Sequence, residues 1–87
     1  MGRYKLIFRK SVARDLRPIP KRDIQRILST IDSLSEEPGP PGCERLSGQE
    51  RFRVRQGNYR IIYEIMDDEV VVVVVKIGHR SNIYRRN

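Results

Sequence analysis

The sequence predicts a small α+β domain with the element order β-α-α-β-β-β: an antiparallel sheet with two N-terminal helices packed on one face. Three stretches carry that prediction. "KRDIQRILSTIDSL" repeats apolar residues at helical spacing, "RFRVRQGNYRIIYEI" alternates basic and apolar residues about a turn, and residues 70–75 are six consecutive valines. Helical spacing makes one apolar stripe, and strict alternation gives a strand two unlike faces. A strand with no polar face is normally covered by neighbours on both sides.

Taken in order, residues 4–8 (YKLIF) read as a first strand, short and bounded by basic residues, with Tyr4 and Phe8 in the core. Ser11 is the expected cap of a short helix through Arg17, with Val12, Ala13 and Leu16 on one side. Pro18 and Pro20 interrupt it. A longer helix over 20–34 follows, its stripe formed by Ile24, Ile27, Leu28, Ile31 and Leu34; Pro20 suits its first turn. "SEEPGPPGC" reads as a loop, because its prolines and glycines suit neither a helix nor an interior strand. Strands are expected over 51–55, 59–66 and 69–77, with a tight turn at Asp67-Asp68. The valine strand belongs between neighbours. The helices must cover the Phe52/Val54 face, which leaves the face carrying Arg51, Arg53 and Arg55 partly open, with Arg60 across the turn.

The 87 residues suffice for one domain, 1–87. Lys and Arg total 18 against 11 Asp and Glu, a formal charge of +7, which favours polyanionic partners and nucleic acid first. Cys43 is the only cysteine, so an intrachain disulfide is excluded and a reducing compartment fits. No stretch reads as a signal peptide or membrane span. One histidine and one cysteine do not make a zinc site of the usual kind, no glycine-rich phosphate loop is present, and Ser11 and Ser47 have no partner histidine at a suggestive position. Guanidinium forks match phosphate oxygens, and several converging on one phosphate can also stabilise a pentacovalent transition state. The residues alone leave three readings open: a solvated charged face, nucleic-acid binding, and chemistry on phosphate.

Several motifs in order sharpen the choice. "YKLIF" precedes two helices, "ERLSG" ends the loop, "FRVRQGNYRIIYEI" forms the hairpin and "VKIGHRSNIYRR" closes the chain. In order and spacing the sequence resembles the RelE branch of the RelE/ParE toxin superfamily of prokaryotic toxin–antitoxin pairs, over nearly its whole length. The resemblance implies a sheet whose first strand lies beside its last. It also implies a catalytic set of basic residues and a tyrosine, which falls on Arg53, Arg55, Arg60, Arg80 and Tyr84. The best-known members carry lysines where Arg53 and Arg55 stand. Arg51, His79, Arg85 and Arg86 flank the set as candidate RNA contacts.

What the resemblance implies chemically is metal-independent cleavage of messenger RNA in the ribosomal A site, with no cofactor, by attack of the RNA's own 2′-hydroxyl. It implies a cytoplasmic protein, monomeric alone, whose partners are the ribosome, messenger RNA and a RelB-type antitoxin, and no membrane. The alternative on the same fold is a ParE-like inhibitor of DNA gyrase, a binding protein without chemistry.

Overall fold

The computed structural model describes residues 3–40, 42–46 and 51–79. Strand β1 (Lys5–Phe8) leads to helices α1 (Lys10–Leu16) and α2 (Lys21–Leu34), then to strands β2 (Glu44–Arg45), β3 (Arg51–Gln56), β4 (Tyr59–Met66) and β5 (Val71–His79). The strands lie in the order β1-β5-β4-β3-β2. The expected α+β architecture is present, with the valine strand interior and β1 beside β5. The sheet differs in being mixed: β1 runs parallel to β5, and the other pairs are antiparallel. Strands joined by hairpins must alternate in direction. Two helices separate β1 from the rest, so no hairpin dictates its direction.

One core fills the space between the helices and one sheet face. It joins Val12 and Ile19 to Ile27, Ile31 and Leu34 of α2, and to Val54, Ile61, Tyr63, Val72, Val74 and Ile77 of the sheet. Each large aliphatic buried here stabilises the fold by roughly 1.5–3 kcal/mol. Leu28, expected in the stripe, lies at its margin and is exposed. Ile19, between two prolines, is buried although no periodicity marks it.

Helix α1 departs from expectation at its start. Arg9, not Ser11, holds the N-cap position, with no side-chain cap. The Arg9 N–H donates to Val74 O at 3.0 Å, so the chain turns into the helix directly off the β1 ladder and Ser11 falls inside the first turn. Ala13, expected on the packed side, is exposed. Where β1 ends, Asp15 replaces the missing strand: its carboxylate accepts from the Ile77 N–H at 3.1 Å and lies 3.9 Å from Lys76 Nζ. Phe8 is exposed rather than core, and half-buried Tyr4 donates its hydroxyl to Asp67 at 2.8 Å.

Two turns and a bulge set the register of β3, β4 and β5. Gly57 takes φ +61 in the β3–β4 turn, the positive value that a two-residue turn with glycine first requires. In the β4–β5 pair, Ile62 faces Lys76 and Tyr63 faces Val74, which leaves Val75 as an extra residue. That bulge lets Val74 and Ile77, three apart, both reach the core.

The β4–β5 turn spans residues 67–70, so β5 starts at Val71 rather than at Glu69. Val70 sits at φ +56. A β-branched residue there crowds its Cβ against the backbone, at a cost of roughly 1–2 kcal/mol. Val70→Gly is therefore expected to stabilise the protein by about 1 kcal/mol, raising Tm by several degrees in a calorimetric scan. An unchanged or lower Tm would refute it. Among the described residues, no helix is long and apolar enough to cross a membrane.

Candidate active site

The open sheet face is built by register. Arg51, Arg53 and Arg55 alternate with the inward Phe52 and Val54 along β3, so all three point away from the helices. Across the strand pair, Arg55 faces Arg60, Arg53 faces Ile62 and Arg51 faces Glu64. On the far side, Arg60 faces Gly78 of β5. Directly opposed cross-strand residues have their Cβ atoms about 5 Å apart, and like charges so placed destabilise the pair. Two arginines in register therefore cost stability that a merely solvated face has no reason to incur.

The three residues Arg53, Arg55 and Arg60 line a concavity of about 260 Å³ together with Gly42 and Glu44. Gly42 takes φ +91, a conformation suited to glycine, where the loop turns into β2. Glu44 lies opposite Arg53 in the β2–β3 pair, and its carboxylate accepts a hydrogen bond from that guanidinium. The bond to Arg53 and its charge, with lesser help from Arg60 and Arg55, hold the Glu44 carboxyl below the usual range against an opposing effect of burial.

Not every expected residue joins this cluster. Arg51 bonds Glu64 at 2.8 Å, and Arg9 approaches the same carboxylate at 3.8 Å, so Arg51 belongs to a separate ion cluster farther along the face. His79 lies on the helix side of the sheet, edge-on to Tyr59 with ring centroids 5.7 Å apart. It lines a second concavity with Asp23, Arg26 and the β3–β4 turn. The sheet thus separates His79 from the arginine cluster. Arg80, Tyr84, Arg85 and Arg86 lie outside the described residues.

No described tyrosine is prepared to act as a base. The hydrogen bond to Asp67 raises the pKa of Tyr4, burial followed by the Asp23 charge raises that of Tyr59, and burial drives that of Tyr63 far upward. Among the described residues, no three His, Cys, Asp or Glu side chains converge as metal ligands would. Glu44 and Gly42 are the site residues that sequence reasoning passed over. The only signal for Glu44 was its place in "GCERLSG", since β2 is too short to show alternation.

Comparison with known proteins identifies the family. Residues 6–84 match the family model described as the ParE toxin of the type II toxin–antitoxin system parDE. The toxin RelG of Mycobacterium tuberculosis is 36% identical, over 95% of this chain and 98% of its own. The mRNA interferase toxin RelE of Escherichia coli K12 is 33% identical over 48 residues, 53% of this chain and 44% of its own. Among solved structures, the archaeal RelE–RelB complex from Pyrococcus horikoshii superposes with a TM-score of 0.80 at 29% identity, covering 91% of this chain and 97% of that one. The family match and the fold define a toxin of the type II toxin–antitoxin class. Within that class, the chain belongs to the RelE/ParE family as a RelE-type toxin.

Proposed function

We propose that this toxin is a metal-independent messenger-RNA endoribonuclease acting in the ribosomal A site. The observation that carries the reading is the cross-strand pair Arg55 and Arg60 beside Arg53 in one open concavity. The name of the Escherichia coli relative, an mRNA interferase, supports it. In the reaction, the 2′-oxygen forms a bond to the adjacent phosphorus and the bond to the 5′-oxygen breaks. The products are a 2′,3′-cyclic phosphate and a 5′-hydroxyl. Arg53, Arg55 and Arg60 hold the phosphate and the charge that grows on it. Tyr84 accepts the 2′-hydroxyl proton; a free tyrosine has a pKa near 10, and nearby arginines favour its phenolate. Arg80 stabilises the leaving 5′-oxygen electrostatically, since arginine scarcely releases a proton, and water supplies the proton that completes the 5′-hydroxyl.

The reading includes a RelB-type antitoxin that presents an acidic segment, covering the arginine cluster or displacing the Tyr84 segment. The solved relative in complex with RelB supports that partner. It also treats residues 1–87 as one cytoplasmic domain, monomeric until bound. A second reading, a ParE-like gyrase inhibitor, is favoured by the description of the matching family model.

One experiment separates the two. Purified toxin is added to a translating messenger RNA and, in parallel, to a gyrase supercoiling reaction. Fragments ending in 2′,3′-cyclic phosphate and 5′-hydroxyl, with supercoiling untouched and cleavage stopped by the antitoxin, are expected. Intact RNA with blocked supercoiling would establish the gyrase reading instead.

A further inference from the structure

We propose that Glu44 is a resident counter-ion, occupying the place of the RNA phosphate in the arginine cluster until a polynucleotide displaces it. The inference rests on the ribonuclease reading for the identity of the ligand. A carboxylate and a phosphodiester offer a guanidinium the same pair of acceptor oxygens. Glu44 already makes that contact with Arg53, inside the concavity that Arg55 and Arg60 also line. The two partners differ in freedom: the Glu44 side chain is 63% exposed and that of Arg53 only 23%. The carboxylate can swing outward on its short edge strand while the guanidinium stays in place.

Another carboxylate of this face serves as a contrast. Glu64 is 20% exposed, on a central strand, and held between Arg51 and Arg9. It is a fixed member of the face and takes no part in the concavity. Glu44 instead relieves the mutual repulsion of three neighbouring arginines when no RNA is bound. Its depressed carboxyl pKa is the electrostatic counterpart of that contact.

Such a counter-ion also selects its ligand. A lone phosphate exchanges one anion for another and gains little. A polynucleotide brings several phosphates and releases their condensed counterions, which outweighs loss of the Glu44 contact.

The test measures binding of a short 2′-O-methyl RNA, which lacks the attacking hydroxyl and cannot be cut. Wild-type protein, Glu44→Gln and Glu44→Ala are compared by fluorescence anisotropy across a salt series, with melting curves to establish folding. Both variants are expected to bind roughly fivefold more tightly, the scale of one exposed ion pair. The slope of log affinity against log salt should stay as in the wild type, because the RNA has displaced Glu44 and Arg53 holds the same phosphate in all three complexes. Unchanged affinity would overturn the inference, as would weaker binding, which would make Glu44 a positioning residue for Arg53. So would a steeper slope, which would mean that Glu44 keeps Arg53 from the phosphate in the wild-type complex. The readout needs no cleavage. Tighter binding with no cleavage products would sustain the counter-ion and remove the ribonuclease; correct products with unchanged binding would do the reverse.

Discussion

Arg60→Gln is expected to lower messenger-RNA cleavage by two to three orders of magnitude, the usual scale for removing one preorganised donor from a phosphate or oxyanion site. The expectation follows from where Arg60 stands. It is half-buried on an interior strand, between Gly78 and Arg55, which adds charge. A guanidinium so held needs little reorganisation when charge grows on the phosphate. Glutamine keeps much of the length and some donor capacity but removes the charge. A melting curve must accompany the assay, since relief of the Arg55–Arg60 repulsion and loss of Arg60 packing act in opposite directions. Tyr84→Phe is the companion variant, because it removes only a hydroxyl. General-base contributions run to about 10²–10⁴-fold. Cleavage at the parent rate in the Phe variant would remove Tyr84 from the mechanism, and parent-rate cleavage by Arg60→Gln would remove the cluster.

Programmed ribosomes are expected to accelerate cleavage by several orders of magnitude over naked RNA. In-line attack needs the 2′-oxygen, phosphorus and 5′-oxygen nearly collinear, a geometry that free RNA samples rarely. The described concavity is open, and its three arginines grip phosphate with Glu44 and Gly42 beside them. It supplies charge without orientation. Orientation is worth up to about 7–11 kcal/mol in well-aligned reactions, and a ribosome that bends the codon can provide it. One messenger RNA, naked and ribosome-bound at equal salt, is the comparison to make. Cuts in register with codons should appear only on the ribosome. Equal rates and out-of-frame cuts in both would leave a free ribonuclease.

The sequence made some of this legible and hid the rest, for physical reasons. The α2 stripe and the alternation of β3 are periodic, so the core face and the arginine face could be read directly from them. Their registration across the turn followed from Gly57. Leu28 and Phe8 show where periodicity fails: it tells which way a side chain points, not whether anything lies there to cover it. Strand β2 is two residues long and shows no period, so the Glu44–Arg53 pair emerged only in three dimensions. His79 illustrates a parity problem. Counting along an uninterrupted strand from Val74 puts it on the open face, whereas the extra residue at Val75 turns it toward the helices.

That extra residue lies within a homopolymeric tract, and this has a consequence for how such a gene can vary. Valine codons in series are interchangeable, so losing one removes no particular side chain. The shortened strand could close its bulge and keep its ladder with β4 and β1, and the valines would still fill the core. Everything downstream would keep its side: Ile77 would still face Ile61 in the core, and Gly78 would still face Arg60 on the open face. A single in-frame codon deletion would thus leave the lining of the core and of the cleft in place and remove only the local bend of the strand. The valine tract is tolerant of which valine is which, and of losing the one valine that no residue of β4 faces.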